Sequence, residues 1–367
     1  MTRGEPRSHG LPRPTGLPRP TGLPRLESTA RSSLRASTGS RLHFGLIDPT
    51  GVSGRFFGGA GMMVEAPATE IELGVDARLT GCQAAPSAAI AARVDESLAA
   101  AARALDAELE PAVVVHSCPD DHVGLGCGTQ LGLAIADGVA RLAGLGVDLE
   151  TLTRASCRGE RSGIGAHGYS LGGFLVDGGK GPDVSLSPLV ARVEVPADWR
   201  VVLIRTGKRK GLSGVRERRS FARLAVATTT REVDALSRLA LLGMLPALGA
   251  GDLDGFGDAL FEYGCRAGEP FRDAQGGLFA SPVAKEIVEH LRRDGVRGTG
   301  QSSWGPTLYA FVSDENRARF VARQVRERFE LGSDSVRITA ARNRGVEWRA
   351  LDSERRTIRR QRPVEGA

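Results

Sequence analysis

The sequence lacks the features that define several large classes of protein. It contains no run of about 18 apolar residues, so no segment is expected to span a membrane. No apolar stretch follows the first basic residues, so no secretory signal is expected. The five cysteines are scattered and include no CxxC pair. This argues against a zinc site or a disulfide framework and predicts a cytoplasmic protein with reduced thiols.

The excess of positive charge, 49 Lys and Arg against 43 Asp and Glu in 367 residues, comes from the two ends of the chain. Residues 1–36 carry seven Arg and two acidic residues, and residues 354–367 carry five Arg and two acidic residues. The body between them, 37–353, has a net charge of −2. Such a near-neutral body, without interleaved aromatic and basic residues, argues against a nucleic-acid-binding domain.

Composition divides the chain into two tails and two folded units. Gly10–Arg25 repeats the hexapeptide GLPRPT, whose prolines block helix formation and which offers few apolar groups. Residues 1–36 are therefore predicted to be a disordered leader. Strand-like and helical patterns alternate through 37–198 and again through 199–353, as expected of two α+β or α/β units. A basic tail, 354–367, follows.

A glycine loop, VGLGCGTQ, lies between a predicted strand at 112–117 and a predicted helix at 129–143. Its glycines let the backbone approach a ligand, and the free N–H groups at a helix start suit a phosphate or pyrophosphate. The loop matches neither the P-loop nor the Rossmann spacing, so on this motif alone a plain tight turn is an equal alternative. The candidate binding residues are Gly124, Gly126, Cys127, Gly128, Thr129 and Gln130.

A second motif, RLHFGLIDPTG at 41–51, has the alternation of a strand. Alternation puts Arg41, His43 and Gly45 on one face. An Arg beside a His suits a carboxylate or phosphate ligand. The alternatives are a core histidine at position 43 and a turn-initiating Asp48 before proline.

Two further glycine-rich segments follow. RGERSGIGAHG at 158–168 combines glycines with charged residues and a histidine. Functional loops need such backbone freedom, although a flexible connector is the alternative. GTGQSSWGPT at 298–307 is the other segment, and its alternative is a bend before an edge strand.

In this order the motifs resemble those of the GHMP kinase superfamily and, within it, the β-ribofuranosylaminobenzene 5′-phosphate synthase family. The resemblance implies an α+β fold with a ribosomal-protein-like N-terminal domain and a ferredoxin-like C-terminal domain. It spreads over most of 37–353. The matching phrases are SRLHFGLID (40–48), HVGLGCGTQLGLAIA (122–136), RSGIGAHGYSLGGFLVDGG (161–179) and GQSSWGPTLYAF (300–311).

The resemblance also implies a reaction. The family joins 4-aminobenzoate or 4-hydroxybenzoate to phosphoribosyl pyrophosphate and releases CO2 and pyrophosphate, a pentosyl transfer early in tetrahydromethanopterin synthesis. Departure of pyrophosphate requires neutralisation of its charge, by Mg2+ and by backbone donors. We also expect a homodimer.

The residues of the motifs can then be given candidate roles. Arg41 or Arg161 would grip a carboxylate or the ribose 5-phosphate, because a guanidinium binds either with two hydrogen bonds. The catalytic candidates are His43, Arg161 and His167; Ser162 joins the substrate-binding residues, and the metal candidates are Asp48 and Glu160, with Asp177 as a third carboxylate.

An ATP-dependent small-molecule kinase of the same superfamily is the alternative function. Those kinases commonly carry an Asp base in an SGxxD segment, where this chain has SGIGAH at 162–167. They also have paired serines where Cys127 and Gly128 stand here, and a thiol is a poorer magnesium ligand than a hydroxyl. A third, less favoured hypothesis is a non-catalytic regulator or nucleic-acid binder with the same fold.

Overall fold

The structure is a computed structural model that describes residues 33–75, 79–159, 161–182, 184–207, 228–303 and 305–351. Most of the predicted leader, the metal candidate Glu160 and the basic tail lie outside the described residues.

Seven strands form the first sheet. Their order is β11-β1-β2-β4-β3, and β5 pairs with both β2 and β6. Only the β3–β4 pair is parallel. The strands are β1 (Ser33–Asp48), β2 (Phe57–Gly74), β3 (Gly81–Ala84), β4 (Ala112–Ser117), β5 (Phe174–Asp177), β6 (Leu189–Val193) and β11 (Glu347–Leu351).

The second sheet has four antiparallel strands in the order β10-β7-β9-β8. These are β7 (Arg200–Arg205), β8 (Thr299–Gln301), β9 (Thr307–Val312) and β10 (Val336–Thr339). Helices connect β7 to β8 and β9 to β10, which gives the β-α-β-β-α-β order of a ferredoxin-like domain, as the resemblance implied.

The helices lie in two groups. Those of the first unit are α1 (Ala88–Leu105), α2 (Cys127–Leu142), α3 (Leu149–Ala155) and α4 (Ile164–Leu171). Those of the second are α5 (Thr230–Arg238), a π-helical stretch (Leu239–Met244), α6 (Leu245–Gly249), α7 (Leu253–Gly268), a 3-10 turn (Glu269–Phe271), α8 (Arg272–Gln275), α9 (Pro282–Arg293), α10 (Glu315–Arg328) and a 3-10 turn (Ser333–Ser335). None of the helices in the described ranges has the length and apolar character needed to cross a bilayer.

Three apolar clusters hold these layers together. One packs the first sheet against α1–α4 and includes Ile71, Val113 and Leu131. Another packs the second sheet against α9 and α10, through side chains such as Ile287 and Val321. The third joins the two sheets to each other and to α5–α7, and it contains Leu42, Phe44, Phe174, Leu203, Phe256, Tyr309 and Phe311.

Two domain boundaries differ from the sequence prediction. β1 begins at Ser33, inside the predicted leader 1–36, because Leu34 and Ala36 are buried and the strand pairs with β2 on one side and β11 on the other. Residues 347–351, assigned to the second unit 199–353 but to no predicted strand, form β11 at the edge of the first sheet.

Contacts between the two units hold three segments together: β1, the glycine loop and the segment after β8. We call this place the junction. The Ser302 hydroxyl donates to the Gly124 carbonyl at 2.6 Å and accepts from the His43 N–H at 3.1 Å. The Ser303 N–H donates to the His43 carbonyl at 2.9 Å. A Cβ atom on Gly305 would lie 2.3 Å from the Gly124 nitrogen, so the two backbones meet where neither has room for a side chain.

Replacement of Gly305 by Ala should therefore damage this junction. The added methyl group meets backbone rather than a movable side chain, so we expect the free energy of unfolding to fall by about 1–3 kcal/mol. Urea unfolding measures this. The control is Gly249→Ala, where no atom lies within 4 Å of the new Cβ, and where we expect no loss and a gain of up to about 1 kcal/mol. Equal stability of G305A and wild type would contradict the packing described.

Candidate active site

The glycine loop ends in an uncapped helix start. Gly124 and Gly126 have φ values of 86° and 70°, in the left-handed region that favours glycine. Gly126 is the N-cap of α2, and no side chain caps the helix there. The first N–H groups of α2 and the positive end of its dipole are thus available to an anion.

A cavity of about 350 Å3 opens beside this helix start. One part of its lining is cationic and polar, with Arg41, Arg158, Arg161, Thr129 and Ser162. Another part is apolar and rich in aromatic rings. It comprises Phe44, Leu46, Phe261, Ala267, Phe271, Leu278 and Phe279, with Cys265 and the glycines of α7 between them.

Strand β1 runs from the cationic part to the apolar part. A Cβ on Gly126 would lie 3.1 Å from Arg41 Cβ, which places Arg41 at the start of α2. A Cβ on Gly45 would lie 2.3 Å from Ala267 Cβ, and the Tyr263 hydroxyl donates to the Gly45 carbonyl at 3.0 Å, which places Gly45 against α7. Arg41 and Gly45 are about 13 Å apart along the strand. His43 stands between them and also lines the cavity.

His43 is a neutral imidazole. Burial, and secondarily the charge of Arg41, lower its pKa from 6.5 to about 3. Its Nε2 atom is buried and has no hydrogen-bond partner among the described residues. Buried polar atoms normally have partners, so an unpaired one in a cavity wall indicates a place for a ligand atom.

Two hydroxyl groups near the apolar part of the cavity also lack a hydrogen-bond partner. Thr299 Oγ1 and Tyr309 OH are buried without a partner in the described part of the chain. Thr299 lines the cavity. Tyr309 lies just behind the wall, since a Cβ on Gly300 would be 2.4 Å from its hydroxyl oxygen.

The segment predicted as a loop at 158–168 is partly helical. α4 begins at Ile164 because Ile164, Ala166 and Tyr169 are buried against the sheet. Ser162 accepts from the Ile164 N–H at 3.2 Å and donates to Asp177 at 2.8 Å. The Gly163 N–H also donates to Asp177, at 3.1 Å. Asp177 therefore anchors the Ser162 corner of the cavity and is not exposed to a metal ion.

His167, predicted to be catalytic, is not among the residues that line the cavity. It lies on α4, where its Nε2 atom is 2.8 Å from the Ser187 carbonyl oxygen. Burial lowers its pKa. His167 therefore packs behind the part of the cavity wall that Ser162 forms.

Two side chains of the glycine loop also turn away from the cavity. Cys127 is buried in the apolar cluster beneath α2, and its contact with the Cys118 thiol, followed by burial, raises its pKa. Gln130 is fully buried, accepts from the Thr38 hydroxyl at 2.7 Å and donates to the Gly165 carbonyl at 2.9 Å. Residue 127 can offer a ligand its backbone N–H, whereas the Gln130 side chain is held by the protein.

Asp48 is unsuited to the predicted metal role. Its carboxylate accepts backbone N–H groups of Thr50, Gly51, Val52 and Ser53 at 2.6–3.2 Å. Burial would raise its pKa, but these hydrogen bonds outweigh it and the pKa is lowered. Asp48 thus organises the turn after β1. The described residues contain no group of three or more His, Cys, Asp and Glu side chains that could hold a metal ion.

Sequence reasoning missed Arg158 as a site residue and also missed the aromatic wall. Arg158 stood at the edge of the third motif, so its charge was the available signal. Phe261, Phe271 and Phe279 lie more than 200 positions after Arg41 and belong to no glycine motif. Phe261 reaches the cavity through the packing of α7 against β1, and Phe271 and Phe279 follow from the segment between α7 and α9.

The family model for the C-terminal region of GHMP kinases matches residues 244–331. Among curated proteins, the chain is 33% identical over 330 residues to a beta-ribofuranosylphenol 5′-phosphate synthase of Archaeoglobus fulgidus, covering 86% of this chain and 99% of the relative. It is 30% identical over 329 residues to the protein of that name from Methanothermobacter thermautotrophicus, covering 84% and 97%.

Solved structures of the same fold include two enzymes at low sequence identity. Homoserine kinase from Cytophaga hutchinsonii has a TM-score of 0.61 at 14% identity, covering 88% of this chain and 99% of that one. Mevalonate diphosphate decarboxylase from Enterococcus faecalis has a TM-score of 0.60 at 17% identity, covering 87% and 99%. The predicted two-domain GHMP kinase fold is thereby confirmed.

The buried neutral state of His43 should appear in the pH dependence of stability. The folded pKa lies below the unfolded value of 6.5, so the unfolded state binds the extra proton as the pH falls between 6.5 and about 3. His43 should then lower the free energy of unfolding by up to about 1.4 kcal/mol per pH unit in that window. Urea unfolding from pH 7 to pH 4 measures this. His43→Gln should have a shallower slope, and identical slopes would contradict a neutral buried imidazole.

Proposed function

The chain belongs to the beta-ribofuranosylphenol 5′-phosphate synthase family, and from this we propose that it transfers a ribose 5-phosphate group to a 4-substituted benzoate. The donor is phosphoribosyl pyrophosphate, and the products are the aryl C-riboside, CO2 and pyrophosphate. The word phenol in the relatives' name favours 4-hydroxybenzoate over 4-aminobenzoate as the acceptor. The enzyme is thus a pentosyltransferase of tetrahydromethanopterin synthesis.

One observation carries the proposal beyond the family name, namely that the cavity changes from cationic to aromatic along β1. Guanidinium groups and a helix start suit the phosphates of the donor. Aromatic and aliphatic side chains suit the planar ring of the acceptor. His43 lies where the sugar carbon and the ring carbon would meet.

The chemistry follows from this placement. The bond between ribose C1 and the pyrophosphate oxygen breaks, and a bond forms from C1 to the ring carbon that carries the carboxylate. The para hydroxyl group donates electron density to that carbon. The carbon–carboxylate bond then breaks, CO2 leaves, and its electron pair restores the aromatic ring.

The side chains divide this work. The guanidinium groups of Arg41 and Arg158 stabilise the negative charge that develops on the leaving pyrophosphate. Arg161 grips the ribose 5-phosphate or the acceptor carboxylate. His43, neutral and with an unpaired Nε2, orients a hydroxyl group of the sugar without adding positive charge beside a cationic sugar carbon.

The described residues do not fit a protein-held Mg2+, because Asp48 and Asp177 are already occupied by hydrogen-bond donors. We propose that Mg2+ reaches the site on the pyrophosphate of the donor, a common mode for this ion. We also propose a cytoplasmic homodimer. The five free thiols are consistent with a reducing compartment.

A direct assay tests the proposal. Purified protein is incubated with phosphoribosyl pyrophosphate, Mg2+ and 4-hydroxybenzoate labelled in its carboxyl group, and labelled CO2 is measured. We expect release that requires the donor and is slower with 4-aminobenzoate. ATP consumption without CO2 release would instead support a kinase.

Arg161→Ala should lower the rate of CO2 release at least about tenfold, because a charged contact to a reacting substrate is lost. Arg319→Ala is the control, since Arg319 is exposed on α10 and pairs only with Glu315 in the described structure. Equal rates in R161A and wild type would remove Arg161 from the reaction.

A further inference from the structure

Two guanidinium groups meet at the first turn of α2. A Cβ on Gly128 would lie 2.2 Å from Arg93 Nη1 and 3.4 Å from Arg158 Nη2, so both side chains end beside the Gly128 backbone. Arg93 comes from α1, and Arg158 comes from the segment after α3 and lines the cavity. Neither residue belongs to the glycine motif that they surround.

The positive charge of this pair is only partly compensated. Asp121 pairs with Arg93 at 3.2 Å. Arg158 makes no ion pair with a carboxylate within the described ranges. Burial and the charge of Arg93 lower its pKa, and the charge of Asp121 offsets this only in part. The Nε atoms of both arginines are buried without a hydrogen-bond partner among the described residues. Two neighbouring like charges with unpaired donors are costly unless an anion joins them.

The start of α2 adds to this field. The helix is 16 residues long, and its N-cap Gly126 provides no capping side chain. Its first N–H groups and the positive end of its dipole lie at the same turn that the two guanidinium groups approach. Backbone donors and paired arginines together form a site for an anion with several oxygen atoms.

We propose that Arg93 and Arg158 bind the pyrophosphate group of the ribosyl donor at the start of α2. This inference rests on the proposed function, which requires a donor with two separate phosphate groups. Pyrophosphate carries more charge and more acceptor oxygens than the 5-phosphate. It also gains charge as it leaves, so it belongs at the part of the site with the most donors. Arg161, which also lines the cavity, is left for the rest of the substrates.

Calorimetric titration of the full chain with two separate probes, inorganic pyrophosphate and ribose 5-phosphate, tests this assignment. Arg158→Gln should weaken pyrophosphate binding at least about tenfold, as expected for a lost charged hydrogen-bonding group. Ribose 5-phosphate binding should change by less than about threefold, because that group binds elsewhere. Arg158→Lys keeps the charge but not the two-pronged geometry, and its affinity for pyrophosphate should be intermediate.

Arg154→Gln is the matched control. Arg154 is an exposed arginine on α3 whose side chain contacts Thr151, and both probes should bind this variant as they bind wild type. Arg93→Gln is the second test variant and should also weaken pyrophosphate binding. Thermal unfolding of each variant checks that it is folded.

Unchanged pyrophosphate binding in both folded R158Q and R93Q would overturn the assignment, as would equal losses for the two probes. A different result would refute the proposed function. Wild-type protein that binds pyrophosphate through Arg158 but releases no CO2 from 4-hydroxybenzoate would refute the reaction and leave the anion site standing.

Discussion

The close approach of the Gly124 and Gly305 backbones is the constraint on which the site depends. Because no side chain separates them, the Ser302 hydroxyl can bridge the glycine loop and β1. That bridge belongs to the second unit, whereas both of its partners belong to the first. The position of His43 relative to the start of α2 is therefore held both by this contact and by the hydrogen bond from the Arg41 N–H to the Leu125 carbonyl, at 2.9 Å. The cavity is lined by both units, so neither unit could form it alone.

The junction also explains why a chain whose folded body is near neutral can hold a highly charged substrate. The arginines of the site are few, but three of them, Arg41, Arg93 and Arg158, converge on one helix start beside a cavity. Electrostatic interactions are stronger there than at the surface, where water and salt screen them. On the opposite side of His43, α7 presents rings and glycines. One strand, β1, thereby orders a charged region, a neutral imidazole and an apolar region.

The local patterns of the sequence predicted much of this. The strand 112–117 and the helix 282–293 have the predicted bounds, and the glycine loop begins a helix as expected. Arg41, His43, Thr129, Arg161 and Ser162 were predicted as site residues, and all of them line one cavity. The secondary-structure predictions agree with the structure because periodicity is a local property of the chain, whereas the roles of these site residues stay predictions.

What the sequence could not predict depends on distant contacts. His167 has a side chain suited to chemistry, but the fold places its Nε2 atom against the Ser187 carbonyl, twenty residues away. Asp48 differs, because its partners at 50–53 are local and a turn-initiating aspartate was one of the alternatives that the sequence left open. Arg93 lies in an ordinary amphipathic helix, and only the packing of α1 on α2 brings it to Gly128. Ser33 belongs to a strand because it pairs with Gly74 of β2 and with Leu351 of β11, which returns from the far end of the chain.

The central claim is that β1 separates a phosphate region at α2 from a ring region at α7. A crystal structure with pyrophosphate and 4-hydroxybenzoate tests it most directly. The account predicts pyrophosphate at the first turn of α2 and the ring against Phe261 and Gly264, with the carboxylate-bearing carbon facing His43. Pyrophosphate among the α7 side chains, or the ring at the start of α2, would contradict it.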